Sequence, residues 1–232
     1  MDSYQTEEEQ VESIKKWWAD NSRSIIFGVA LGLIGLFSWQ SWQEKTRTST
    51  LEASDTYQQL VQMMKGSKFD EAILVANEIN EKYDDTPYAA LAGLHKAKAQ
   101  VETANRTGAV ESLEKVAKTA SNQSIQHIAR VRAFKLRIAN GDMNGVITDI
   151  DSLIAEEDGL NPGEFISQYE TLKGDAYRLL GDTEKARNGY IAGLRTATVG
   201  RRLIQLKLDN LGPLPTNFAG AHNDAAVKET EK

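Results

Sequence analysis

Hydrophobic residues fall along this chain in two regimes. The first is one unbroken run: Ser24 to Gln43 carries no charge, and Ile25 to Phe37 holds only aliphatic residues, phenylalanine and glycine. Twenty residues at helical rise cover about 30 Å, the thickness of a bilayer's hydrocarbon core. All four tryptophans flank the run, Trp17 and Trp18 before it and Trp39 and Trp42 at its end. An indole suits the headgroup boundary, where its ring stays apolar and its N–H stays wet. The pattern predicts one transmembrane helix over 24–43 with tryptophan interface anchors.

The second regime begins near Thr48, where apolar residues recur at helical spacing in segments of 13 to 18 residues. Tyr57, Leu60, Val61 and Met64 share a face, then Ala72, Ile73, Ala76 and Ile79 after Gly66-Ser67-Lys68. Asp84-Asp85-Thr86-Pro87 breaks the helix, since proline disfavours a helical residue before it and suits a first turn. Leu91, Leu94, Ala97 and Val101 mark a third helix, and Val110, Leu113, Val116 and Ala120 a fourth. Ile125 to Asn140 reads as a fifth, and Val146, Ile147, Ile150, Leu153 and Ile154 as a sixth. Glu164 to Leu180 is a seventh, and an eighth carries Ala186, Tyr190 and Leu194. No stretch alternates long enough for a strand, so the expectation is all-α. The turns centre near 66, 105, 141 and 181, the signature of stacked helix hairpins, about four of them, with a capping helix from about Arg201 to Leu211.

A cleavable signal peptide fits poorly. Such signals start with a short basic region and end at small residues, whereas here the run is preceded by an acidic stretch and followed by Phe37-Ser38-Trp39. A lipoprotein signal needs a cysteine, and the chain has none. Lys15, Lys16 and Arg23 precede the span, against Lys45 and Arg47 after it. That bias favours a cytoplasmic N-terminal tail.

Charge narrows the function classes. Of the net −6, the first 23 residues supply −3, from three cations against six acids. The near-neutral remainder lacks the basic stripe that nucleic-acid binding needs. His95, His127 and His222 share no metal-ligand spacing, and without cysteine there is no thiolate to join them. Asp84-Asp85 and Glu156-Glu157-Asp158 sit where solvated acids are common at helix ends. No nucleophile, metal set, cofactor loop or small-molecule site is legible, and no enzyme or cofactor is expected. Gly28, Gly32 and Gly35 lie inside the apolar span with no following lysine, so they form no phosphate loop. They share one helix face, where another membrane helix can approach closely, although glycine is also simply common in such helices. Val11, Ile14, Trp17 and Trp18 form an apolar face that suits either an interfacial helix or a continuation of the span. Arg130, Arg132, Lys135 and Arg137 stand in one helix without an acid, Arg130 and Arg137 on one face and Arg132 and Lys135 on the other. Arg132 and Lys135 are candidate groove residues for an acidic partner, the alternative being a solvated face.

Gly174, Tyr177, Gly181-Asp182, Ala186, Tyr190 and Gly193 are spaced as in a tetratricopeptide repeat. In such a repeat, Gly174 and Ala186 let two helices meet closely, and Tyr177 and Tyr190 fill the groove beside them. Lys68 to Ile73 resembles the start of a second repeat helix, and Pro87 to Leu91 the start of the next unit. The intervals exceed 34 residues and no tryptophan occupies the first helix, both departures from the motif. Residues 9–21, the glycine-containing span, its tryptophan exit and the Leu172-Lys173-Gly174-Asp175-Ala176 hairpin resemble the YfgM family, up to about Leu211. That resemblance implies an ancillary subunit of the bacterial Sec translocon in the inner membrane, partnered by SecYEG and a PpiD-type anchored chaperone. The expected layout is a cytoplasmic tail over 1–23, a membrane helix over 24–43 and a tetratricopeptide-like periplasmic domain over 44–211. Residues 212–232, with two of the four prolines and no apolar periodicity, are expected to be a disordered tail. The competing reading keeps the architecture and reverses it: a cytosol-facing receptor for targeting peptides.

Overall fold

The computed structural model describes residues 7–155 and 161–213. The acids at 156–158, His222 and all but the first two residues of the expected tail lie outside the described residues. Among the described residues nine α-helices and one 3-10 turn follow one another, with no strand. They are α1 (Glu7–Lys65), α2 (Phe69–Lys82), α3 (Pro87–Glu102), α4 (Arg106–Thr119), α5 (Gln123–Ala139), α6 (Met143–Ile154), α7 (Ile166–Leu179), α8 (Thr183–Thr196) and α9 (Arg201–Asp209). The chain divides into two compact units between Asp55 and Thr56.

Among its described residues the first unit is helix alone. α1 contains the only described segment long and apolar enough to cross a membrane, and Phe27, Ile34, Leu36 and Phe37 are each exposed along it. Residues 9–23 continue into the span as one helix, so no separate interfacial helix precedes it. Past Gln43 the helix also runs on, because no glycine or proline occurs before Gly66.

The second unit is a series of overlapping cores. Leu60 of α1 packs with Ala72, Ala76 and Ile79 of α2 and Ala92 and Ala99 of α3. Ala97 of α3 joins Leu113, Val116 and Ala117 of α4 and Ala129 and Ala133 of α5. Val131, Phe134 and Ile138 of α5 join α6 and Tyr169, Leu172 and Ala176 of α7. Ala186 and Tyr190 of α8 pack with Ile204 of α9. Each helix is buried by its near neighbours in sequence, as in a stacked repeat array.

The four hairpin turns are built alike. In each, an N–H reaches back five residues to close the helix: Lys68 to Met63 O, Asn105 to Gln100 O, Asp142 to Arg137 O and Asp182 to Tyr177 O, all at 2.7–3.0 Å. That bond needs one left-handed residue, and the four are Ser67, Ala104, Gly141 and Gly181. In three of the four the next residue then caps the following helix. The Asn105, Asp142 and Asp182 side chains accept from the N–H groups of Gly108, Gly145 and Lys185, which stabilises a helix start by about 1 kcal/mol.

Glycine suits two of these four positions, while Ser67 at φ 55° and Ala104 at φ 62° carry a side chain there. Left-handed backbone costs an L-residue about 1 kcal/mol or more, partly offset by glycine's extra freedom in the unfolded chain. Ala104→Gly should therefore stabilise the protein by about 0.5 kcal/mol. Equilibrium urea unfolding checks this, and a loss of stability would show that the α3–α4 turn is not held by that bond.

Candidate partner-binding face

An aromatic floor lies between the end of α1 and α3. The Tyr57 ring meets Tyr88 at 5.4 Å and His95 at 5.6 Å, and the Tyr57 hydroxyl sits 3.0 Å from His95 Nε2. Burial holds the His95 imidazole below its usual pKa, helped by the Lys98 and Arg132 charges, so neutral His95 is the favoured form. Burial also raises the Tyr57 phenol. Lys98, Arg132 and Lys135 are exposed. The floor therefore presents half-buried rings with cations beside them, a surface chemistry suited to an acidic, partly aromatic peptide segment.

The other cations of α5 are differently placed. Arg137 pairs with Asp142 at 2.7 Å and Asp149 at 2.5 Å, with Glu114 at 3.9 Å. These hydrogen bonds outweigh its desolvation and hold its guanidinium above its usual pKa. Arg137, Glu114 and Asp149, with Arg130, Phe134 and Leu153, line a cavity of about 440 Å³ between α4, α5 and α6. The opposed faces of α5 are thus distinct: Arg137 is internally neutralised, and Arg132 and Lys135 face solvent.

The α7–α8 hairpin is the tightest. An added Cβ at Gly189 would stand 2.8 Å from Gly174 N and 2.9 Å from its Cα, so the two backbones touch. A Cβ at Gly174 would meet the Tyr190 ring at 2.6 Å and Ala186 O at 3.1 Å. Ala186 and Tyr190 are fully buried, and Tyr177 is half-buried with the Lys185 ammonium over its ring. Two residues here escaped sequence reasoning. The Asp175 carboxylate accepts from the Tyr190 hydroxyl at 2.8 Å and from Lys207 of α9 at 2.5 Å. Burial and that carboxylate push the Tyr190 phenol far above its usual range. Asp175 and Lys207 thereby pin α9 onto the hairpin.

His127 is structural in the same way. Asn161 O, which can only accept, lies 3.0 Å from Nε2, so that nitrogen donates and Nδ1 accepts from the Tyr169 hydroxyl at 2.7 Å. The ring stacks on Phe165 at 4.9 Å. It ties α5 to the start of α7.

On the membrane helix, a Cβ added at Gly28, Gly32 or Gly35 would meet open space. Trp17 and Trp18 are exposed, and Trp39 and Trp42 meet at 5.5 Å. The glycine face is therefore accessible, and the structure assembles no metal cluster among the described residues.

A family model described as a tetratricopeptide repeat-like domain matches residues 15–213. Three curated relatives align along nearly their whole length, and each is named an ancillary SecYEG translocon subunit. The Escherichia coli (strain K12) protein is 25% identical over 213 residues, 91% of this chain and 99% of the relative. That of Haemophilus influenzae is 24% identical, covering 90% and 100%, and that of Aggregatibacter actinomycetemcomitans 28% over 207 residues, covering 88% and 97%. These names agree with the resemblance carried by residues 9–21 and the α7–α8 hairpin. With the repeat-like match spanning most of its length, the chain belongs to the tetratricopeptide repeat-like domain family.

Proposed function

We propose that this protein is a membrane-anchored, non-enzymatic scaffold of the Sec translocon. Residues 24–43 anchor it in the bacterial inner membrane, the N-terminal tail lies in the cytoplasm and the array lies in the periplasm. There the array brings chaperones to chains emerging from the channel, with SecYEG and a PpiD-type anchored chaperone as its partners. The observation that carries this reading is the near end-to-end likeness to relatives named for that translocon, joined to one long helix whose apolar window is unburied. The face of Tyr57, His95, Arg132 and Lys135 supports binding of an acidic segment of a partner. The open Gly28, Gly32 and Gly35 face supports lateral contact with another membrane helix.

Orientation is tested with protease on sealed vesicles. In inverted vesicles, whose outer surface is the cytoplasmic one, the array should survive and become cleavable only after detergent opens them. Cleavage before opening would select the cytosol-facing receptor instead.

The lateral contact is tested with Gly28→Leu and Gly32→Leu together. Leucine keeps the helix apolar but adds bulk where backbones would meet. The variant should insert normally yet co-purify in mild detergent with about tenfold less Sec channel, the effect of roughly 1.4 kcal/mol of lost packing. Unchanged co-purification would make these glycines ordinary lipid-facing residues.

A further inference from the structure

The end of the array is finished on one side only. α9 turns Ile204 and Leu208 inward onto the core of α8, and Lys207 onto Asp175. Its other side exposes Leu203 by 60% and Leu206 by 50%, and Val199, in the bend before the helix, is exposed by 77%. At about 100° per residue Leu203 and Leu206 lie about 60° apart on α9, a short apolar stripe. Capping elements of stacked arrays ordinarily turn a polar face outward, which keeps them soluble and ends the stacking. Here the outer face has the chemistry of the surfaces that join one helix to the next inside the array.

Charge selects the occupant. Arg202 and Asp209, both exposed, lie seven residues apart, two turns along the same flank of the stripe, and Asp209 Oδ1 also accepts from Gln205 Nε2 at 2.7 Å, leaving its second oxygen toward solvent. The cation is at the helix's N-terminal end and the acid at its C-terminal end. A second α9 laid antiparallel sets each Arg202 toward the other copy's Asp209, twice over, and sets Leu203 against Leu206. Antiparallel packing also opposes the two helix dipoles favourably. Arg201 is already engaged, donating to Leu194 O at 2.6 Å, and so stays out of the contact.

We infer that the outer face of α9 is a self-association surface, on which two copies of this chain pair antiparallel about a two-fold axis. The apolar stripe is short, so the dimer is weak in dilute solution and is favoured where both copies are confined to one membrane.

The absence of native cysteine makes the test direct. The full chain is placed in its membrane with Leu203→Cys on one tagged copy and Leu206→Cys on a second, differently tagged copy. Mild oxidation should give the mixed disulfide, while Leu74→Cys, equally exposed on α2, should give none. With Leu203→Cys and a short bis-maleimide, adding Arg202→Glu or Asp209→Arg should each lower the dimer about fivefold, the scale of two lost surface ion pairs. Both substitutions together should restore it, since the swapped charges again match. Three results would each overturn the inference: no dimer above the Leu74→Cys level, an adduct with a different protein in place of the dimer, or a double swap that stays as weak as the singles while the mixed disulfide also fails to form.

Discussion

Close approach of consecutive helices is the constraint on which the rest of this structure depends. At the α7–α8 crossing, Gly189 rests against the backbone of Gly174, and only glycine permits that distance. At the α3–α4 crossing, Gly93 lies under Val116, where an added Cβ would stand 2.4 Å from Cγ2. The α5–α6 pair has no backbone-to-backbone glycine contact of this kind and packs through Phe134, Ile138, Val146 and Ile150. Each helix then finds its burial in its immediate neighbours, and stability becomes a chain of local interfaces. What remains unburied follows from the same rule. The end of α1, α3 and α5 keep an aromatic and cationic surface, and the last helix keeps exposed leucines on its outer face.

Much of this was legible in the sequence because it depends on local signals. The uncharged span with flanking tryptophans is read from composition alone. The Gly141-Asp142 and Gly181-Asp182 pairs announce a left-handed residue followed by a cap. The same turn at Ser67 and Ala104 was not legible as such, because the residues there are not the ones that favour the conformation. The continuity of α1 was hidden for a different reason. Polarity changes sharply after Gln43 and suggests a boundary, but helices end at breakers, and none occurs before Gly66. The Asp175–Lys207 pair spans 32 residues and the His127–Tyr169 pair 42. Contacts at that separation are set by how helices stack, which no local pattern encodes. The two faces of α5 were foreseen from helical angles, but their partners were not: Asp149, which neutralises Arg137, comes from α6.

The distribution of charge fits a protein that works by contact. The strongest internal pairings, Arg137 with Asp142 and Asp149 and Lys207 with Asp175, are consumed in holding helices together. Exposed cations outside those pairings include Lys98 and Arg132 near His95, Lys135 one turn along α5, and Arg202 at the end of the array. Surface charges of this kind guide and select partners more than they stabilise the fold. A scaffold is the role such a surface suits, with its anchor supplied by the apolar window of α1, which finds no burial within the chain.

The stacked-array account is tested most directly by Ala186→Asp followed by amide hydrogen exchange. Ala186 is fully buried beside Gly174, and a lone buried carboxylate costs several kcal/mol, a large share of the roughly 5–15 kcal/mol that holds a domain. Because burial is local, protection should fall in α7, α8 and α9 while α2, α3 and α4 keep theirs. Equal loss of protection in all of these helices would show one cooperative core and contradict the account.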